Sequence, residues 1–326
     1  MKIAITGATG HIGANMVFKF AKKGWQIRAV YRDRKKIEIF NSLNIEKKEG
    51  DILDRSFLRK AFAGMDAVIH LAGKISIDGD PDGSVMKTNV EGVRSVVAAC
   101  LENNIEKLIH FSSVHALKYT HHSPIVNEES PYADQYSFLY DQSKALGELE
   151  VRKGIQQGLD AYILNPTAVI GGHDYFSSKT GELFTQLFTG KMPFLIKGGF
   201  NWVDVGDLVD TTLFILENGA PNRRYLLGGH FATFAELASM CEEVSGTKKN
   251  RFVLPIEWAF RGLPFIRFAS KFLNKEPLYT YESLMIVKNA NQNYSSELAK
   301  KDLGYEPRPL KKSITDLYEW WKNHPV

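Results

Sequence analysis

The chain has 326 residues, 44% of them apolar and 24% charged, with a formal net charge of +4. Such a chain can bury a substantial core as one large or two medium domains, and so small a charge excess gives no footing for nucleic acid. Its two cysteines, Cys100 and Cys241, lie in apolar stretches without metal-ligand spacing, so they read as buried hydrophobes in a reducing, cytoplasmic compartment with no metal.

The apolar run Lys2–Thr6 predicts a buried strand, and it starts so early that no secretory signal is read before it. Gly7, Gly10 and Gly13 follow at a spacing of three, and Ala14–Lys23 reads as a helix with Met16, Val17, Phe20 and Ala21 on one face. Strands at Gln26–Tyr31, Ala67–Leu71, Lys107–Phe111 and Ala161–Leu164 then alternate with helices at Ser56–Phe62, Met86–Asn103 and Leu139–Gln157. That alternation predicts an α/β fold of the Rossmann type, a doubly wound parallel sheet with helices on both faces.

Past Pro166 the pattern loosens into a smaller mixed lobe. His173–Thr180 reads as a loop, Gly181–Thr189, Phe234–Val244 and Leu310–Trp321 as helices, and Trp202–Asp204 and Tyr225–Leu227 as short strands. The division expected is 1–165 for the first domain and 166–326 mainly for the second, with about 200–225 returning to the first. Leu254–Leu273 is the most apolar long stretch, but Arg261, Arg267, Lys271 and Pro264 keep it from spanning a bilayer. It reads as a lid or packing helix, with an interfacial helix as the alternative.

Strand, glycine turn and helix in that order make a dinucleotide site. Glycines let backbone amides approach a pyrophosphate, and the helix N-terminus places positive partial charge beneath it. The expected wall is Thr6, Gly7, Thr9, Gly10, His11, Ile12 and Gly13. At the end of the second strand, where an acidic residue would hold the ribose hydroxyls of NAD, stands Arg32, with Lys36 close behind. A guanidinium binds a 2′-phosphate bidentately, so NADP is expected over NAD, though Asp33 leaves dual use open.

Tyr140 and Lys144 are four apart and share a helix face. An ammonium near a phenol favours the phenolate and lowers its pKa from about 10, which suits general acid–base work near neutral pH. Ser112 and Ser113 end the Lys107–Phe111 strand at the edge that faces the ligand crevice.

With these residues together, the chain resembles the extended short-chain dehydrogenase/reductases of the NAD-dependent epimerase/dehydratase superfamily. The segments His173-Asp-Tyr-Phe, Gly198-Gly-Phe-Asn-Trp-Val-Asp-Val205 and Tyr225-Leu-Leu-Gly-Gly-His230 are closest to bacterial reductases similar to dihydroflavonol 4-reductase. The resemblance implies Ser113, Tyr140 and Lys144 as catalytic, Ser112 as supporting, and Asn89 as the residue ordering a proton-relay water. It implies cofactor contacts at Asp51, Ile52, Leu71, Ala72, Gly73, Pro166 and Val169. It implies a homodimer face on the helices carrying Asn89 and Tyr140. Gly171-Gly172 stands where the resembling family has Gly-Pro, which predicts a looser loop into the second lobe.

The function expected is NADP-dependent hydride transfer between nicotinamide and a ketone, aldehyde or secondary alcohol. Its rivals are a sugar epimerase, for which Arg223, Arg224 and Arg251 could hold a diphosphate, and an NADP-sensing binding protein. A dehydratase is disfavoured, because Val114-His115 follows the catalytic serine. Candidate substrate contacts are Lys74, Ser76, His115, Tyr175, Phe176 and Trp202.

Overall fold

The computed structural model describes residues 1–118, 125–219, 222–273, 280–290 and 293–324, with the backbone alone at 265–273. The first half runs β1 (Lys2–Thr6), α1 (His11–Lys22), β2 (Gln26–Tyr31), β3 (Glu46–Glu49), α2 (Arg55–Phe62) and β4 (Ala67–His70). It continues through α3 (Ser84–Met86), a π-helical turn at Lys87–Glu91, α4 (Gly92–Glu102), β5 (Lys107–Phe111), α5 (Leu139–Gln156) and β6 (Ala161–Pro166). The second half holds β7 (Ala168–Ile170), α6 (Lys179–Phe188), β8 (Phe194–Ile196), β9 (Gly199–Asp204), α7 (Val205–Asn218), β10 (Arg224–Leu227) and β11 (His230–Thr233). It ends with α8 (Phe234–Ser245), β12 (Phe252–Leu254), α9 (Ile256–Leu273), α10 (Tyr281–Lys288), α11 (Glu297–Leu303) and α12 (Leu310–Asn323).

Seven parallel strands form the main sheet in the order β10-β6-β5-β4-β1-β2-β3. This is the doubly wound Rossmann architecture. The chain winds outward from β1 through β3 and then turns back at β4, so β1 and β4 frame the switch point where such sheets bind ligands. One face packs Ile3 and Ile5 against Met16, Phe20, Leu208 and Ile215, and the other packs Ala4 and Val68 against Leu58, Val96 and Val151. Burial on both faces is why β1, β4 and β5 read as continuous apolar runs. A three-stranded sheet β11-β9-β7 and a parallel pair β12-β8 belong to the smaller lobe, whose core gathers Phe184, Trp202, Leu237, Cys241 and Ile314. Cys100 lies in the Rossmann core, and both thiols are free and fully buried.

Several boundaries differ from the sequence reading for physical reasons. The sequence Glu46-Lys-Lys-Glu has no apolar signal, yet it forms edge strand β3, held by pairing with β2. Charged edge strands of this kind block further pairing. The single helix expected at Met86–Asn103 is interrupted by the π-turn, which carries Asn89. The valines and threonines of Val205–Asn218 have modest helix propensity, yet burial against α1 makes the stretch a helix. No helix among the described residues is long and apolar enough to cross a membrane.

One buried ion pair ties the halves together. Glu148 on α5 is fully buried and accepts from Arg224 Nε of β10 at 2.9 Å and from Asn165 Nδ2 of β6 at 2.6 Å. The Arg224 guanidinium also donates to Glu128 O at 3.1 Å and lies 4.4 Å from the Tyr132 ring centroid. Removing one partner leaves the other charge buried alone. Arg224→Met should therefore cost about 3–5 kcal/mol in urea unfolding, and Glu148→Leu added to it should restore part of that loss. A double variant less stable than the single one would contradict this reading.

Candidate active site

β1 delivers the chain into the glycine turn at the switch point. Gly7 takes φ +69°, and a Cβ there would lie 2.6 Å from Ala72 N; one on Gly13 would lie 2.3 Å from Gly7 O. Both positions therefore require glycine. Gly10 caps α1 without a side-chain hydrogen bond, and the first turn holds no acid. The amides of His11, Ile12 and Gly13 thus start a helix with no side chain competing for them, a cradle that fits a pyrophosphate. Thr6 Oγ1 sits 2.7 Å from His70 Nδ1 and takes the Ala72 N–H at 3.4 Å, while Leu71 N donates to Thr6 O at 3.1 Å. The β4 end is thereby fixed against the turn. Thr9 lies in that turn, partly buried.

The His11 side chain turns elsewhere. Its Nε2 lies 3.1 Å from both Gly171 O and Gly172 O, and Asn15 Nδ2 donates to Gly172 O at 2.9 Å. A Cβ on Gly171 would meet Val205 Cγ1 at 2.4 Å. The Gly171-Gly172 loop, read from sequence as loose, is therefore clipped to α1 and packed too tightly for a side chain.

At the far end of the cradle the Arg32 side chain is 66% exposed, and among the described residues its one ion-pair contact is Asp51, at 3.8 Å. Arg34 is committed to Glu49 at 2.7 Å. Asp33 accepts from Lys35 N at 2.9 Å, turned into its own loop. Lys36 lies 5.0 Å over the Phe176 ring. Ile52 is buried against Gly92, and Gly50 lies so close to the Phe57 ring that a Cβ there would meet it at 2.4 Å.

At the crevice, Ser113 follows β5, and Tyr140 and Lys144 project from one face of α5. Lys144 Nζ donates to Phe111 O at 3.1 Å, and Asn165 Nδ2 holds Ser113 O at 2.7 Å. Ser113 Oγ accepts from His115 N at 3.2 Å. Asn89 braces the loop after β4 against α5: Oδ1 accepts from Lys74 N at 2.8 Å, and Nδ2 donates to Lys74 O and to Ser143 Oγ, both at 2.9 Å. Both ends of its amide are thus engaged with protein groups. Ser112 is buried, its hydroxyl without a hydrogen-bond partner among the described residues. Pro166 ends β6, and Val169 pairs with Val203 beside it.

Burial pushes the Tyr140 phenol up to about 12; Ser113 beside it pulls it down, and the Asp141 carboxylate pushes it further up. Burial brings Lys144 down to about 8, opposed by Glu148. The lowering of the Tyr140 pKa expected from Lys144 is not found in the chain alone: desolvation dominates, and the group that pulls the phenol down is Ser113. Beneath Lys144, His70 and His110 stack at 5.3 Å, and burial holds His70 neutral with a pKa of about 3.

Three substrate candidates lie beside Tyr140 or on the loop after β4. His115 Nδ1 is 2.9 Å from Asp141 Oδ1, and its ring stands edge-on to Tyr140 at 5.7 Å. Ser76 Oγ donates to Gly79 O at 2.6 Å, and Lys74 reaches Asp82 and Ser84. The other three lie elsewhere. Tyr175 packs with Phe18, His173 and Trp320 behind the cradle, and Phe176 joins Lys36. Trp202 is core, 3% exposed, against Phe184 and Phe200. Side chains alternate along β9, so the neighbouring Asn201, with His230 and Tyr294, lines an open depression of about 680 Å³ instead.

Sequence reasoning missed Glu148, Glu282 and Tyr294. Glu148 was legible as the third member of an i, i+4, i+8 face with Tyr140 and Lys144. Glu282 Oε2 accepts from Gly79 N at 3.0 Å, and burial with Asp141 and Asp78 nearby raises its pKa. No local pattern marks a residue brought in from 200 positions away. Two hydroxyls and an ammonium at one strand end can donate to a carbonyl oxygen and supply it a proton.

Known proteins agree with this architecture. The pattern of the NAD dependent epimerase/dehydratase family matches residues 3–228. The chain is 27% identical over 329 residues to sterol demethylase protein B of Methylococcus capsulatus, covering 99% of this chain and 98% of that one. It is 28% identical over 330 residues to a putative dihydroflavonol 4-reductase of Synechocystis, covering 98% and 94%. The crystal structure of gox2253 superposes with a TM-score of 0.82 at 30% identity, covering 99% and 98%. The fold also matches the Bordetella bronchiseptica enzyme WbmH in complex with NAD+, with a TM-score of 0.76 at 21% identity over 100% and 99%. With the glycine cradle at the β1–β4 switch point and a family pattern spanning most of its length, the chain belongs to the NAD-dependent epimerase/dehydratase family, within the extended short-chain dehydrogenase/reductases.

Proposed function

We propose that this protein is an NADP(H)-dependent reductase or dehydrogenase acting on a neutral ketone, aldehyde or secondary alcohol. The observation that carries this reading is the convergence of Ser113, Tyr140 and Lys144 at the crevice beside the glycine cradle. The bound nicotinamide supplies or accepts hydride. Ser113 and Tyr140 donate hydrogen bonds to the substrate oxygen, and Tyr140 gives it the proton as negative charge develops there. Lys144 stabilises the phenolate left behind, held in place by the Phe111 carbonyl. Asn89, through Lys74 and Ser143, keeps the loop after β4 in register with α5.

The epimerase reading loses its arginines. Arg224 is buried with Glu148, Arg251 is bound to Glu242 and to Met192 O, and Arg223 lies 3.6 Å from Asp302. The first two are taken up in the interior, and Arg223 stands before the N-terminal end of β10, at the sheet edge opposite the crevice. Asp78, Asp141 and Glu282 gather near His115, a setting that opposes an anionic substrate. Exposed Arg32 supports NADP over NAD. Leu146 and Leu149, both exposed on α5, support a homodimer through that helix.

Tyr140→Phe should lower NADPH-dependent turnover of aryl or steroid ketones at least about a thousandfold while the NADPH dissociation constant stays within about twofold. Retained turnover would remove Tyr140 from the mechanism. Arg32→Ala should raise the NADPH dissociation constant about tenfold or more and leave that for NADH nearly unchanged, as read by fluorescence titration. Equal losses for both cofactors would argue against a 2′-phosphate contact. Lys144 is charged below about pH 8 and neutral above it. Reductive hydride transfer should therefore fall as pH rises through about 8, and a flat single-turnover profile from about pH 6.5 to 9.5 would contradict the role given to Lys144.

A further inference from the structure

The smaller lobe carries an exposed apolar patch whose β8–β12 part packs in the lobe core, away from the Rossmann strands that carry the catalytic residues. Strands β8 and β12 pair in register, Phe194 opposite Phe252, with their rings 6.1 Å apart. Phe194 is 54% exposed, Phe252 66%, Val253 49% and Trp258 63%. Tyr281, 56% exposed, extends the patch through a ring contact of 5.6 Å with Phe260 of α9. Singly exposed apolar side chains are ordinary, but several large ones on neighbouring segments of one lobe, two of them stacked across a strand pair, mark a candidate interaction surface.

The segments around the patch carry an excess of positive charge. Lys191 and Lys197 bracket β8, Lys248 and Lys249 precede β12, and Arg261 and Lys288 lie on α9 and α10; all six are exposed. None has a carboxylate within ion-pairing distance among the described residues. In the segments that form the patch, Glu257 is the only exposed acid, since Glu282 is buried. Arg251 is not part of this set, because it turns inward to Glu242 and the carbonyls of Met192 and Leu187. On β8, Phe194 points out while Leu195 and Ile196 are buried in the lobe core. The patch is therefore held on a rigid base and does not depend on a loop changing shape.

Aromatic side chains on segments rich in lysine and arginine suit the boundary between headgroups and acyl chains. Rings of Trp and Tyr settle at that depth, and the cations reach outward to lipid phosphates. A protein partner matched to the same surface would need acidic groups as well as an apolar centre, whereas an anionic bilayer presents both everywhere. We propose that the β8–β12 face, with Trp258 and Tyr281, docks this protein peripherally on the surface of an anionic membrane. It would lie on the bilayer without spanning it, which agrees with the lack of a membrane-crossing helix among the described residues. This inference does not rest on the reductase reading, because no residue of the patch belongs to the catalytic group or the cofactor cradle.

The test is co-sedimentation of the full chain with sucrose-loaded vesicles. One set is phosphatidylcholine alone, and the other contains about one-quarter phosphatidylglycerol. Binding should be confined to the anionic vesicles and should fall about tenfold or more when NaCl is raised from about 0.1 M to about 0.5 M. Phe252→Ser with Trp258→Ser should weaken it about tenfold, and Lys248→Glu with Lys249→Glu at least as much. All four positions are exposed, and unchanged thermal melting and NADPH binding would show that the variants fold. Failure of the wild-type chain to sediment with anionic vesicles would overturn the proposal. So would sedimentation that ignores lipid charge or both variants. A concentration-dependent dimer abolished by Trp258→Ser, without vesicle binding, would likewise overturn it and make the patch a subunit contact.

Discussion

The constraint on which the rest of this structure depends is the burial of the Glu148 carboxylate. A charge that far from water must be matched, and it is matched from two directions at once. Arg224 comes from the returning strand β10, and Asn165 comes from the end of β6. Asn165 spends its second amide hydrogen on the carbonyl of Ser113. A single carboxylate therefore sets where β10 joins the sheet, where α5 lies across it, and where the chain sits as it leaves β5. Lys144 and Tyr140 lie one and two turns before Glu148 on the same helix face. Their position is a consequence of that anchoring.

The carboxyl edge of the sheet is also where the interior changes character. Ala4, Val68, Leu108 and Ile163 pack into an apolar layer under α2, α4 and α5. Two residues further along each strand come Thr6, His70, His110 and Asn165, all buried. This polar row sits between the oily layer and the crevice. Burial keeps its histidines neutral, so they place dipoles, without added charge, beneath Lys144. The same burial raises Tyr140 and lowers Lys144, favouring the uncharged form of each in the chain alone. A pair poised in this way shifts readily when a charged or hydrogen-bonding group arrives beside it.

The smaller lobe completes the crevice from residues distant in sequence. The start of α10 closes on the loop after β4 through Thr280 to Ile77 O and Glu282 to Gly79 N. The loop after β7 is clipped to α1 by His11 and Asn15. The crevice is thus bounded by a rigid sheet edge on one side and by short polar clasps on the other. That division suits a site whose chemistry is shared across a family while its substrate wall is not.

By itself the sequence determined the α/β architecture, because parallel strands buried on both faces must be continuously apolar and their helices must be amphipathic. It also determined the glycine cradle, since only glycine fits at Gly7 and Gly13, and the pairing of Tyr140 with Lys144, since four residues make one helix turn. Such signals are local: neighbours in the chain carry the whole message. Tertiary structure alone decided the rest. It made a strand of the charged segment Glu46–Glu49 and a helix of Val205–Asn218, because pairing and burial outweighed propensity. It took Trp202, Tyr175 and Phe176 away from the crevice, because an aromatic ring reads alike in a core and in a binding wall. It brought Glu148, Arg224 and Glu282 to the surroundings of the site, because contacts across tens to hundreds of residues leave no periodicity to read.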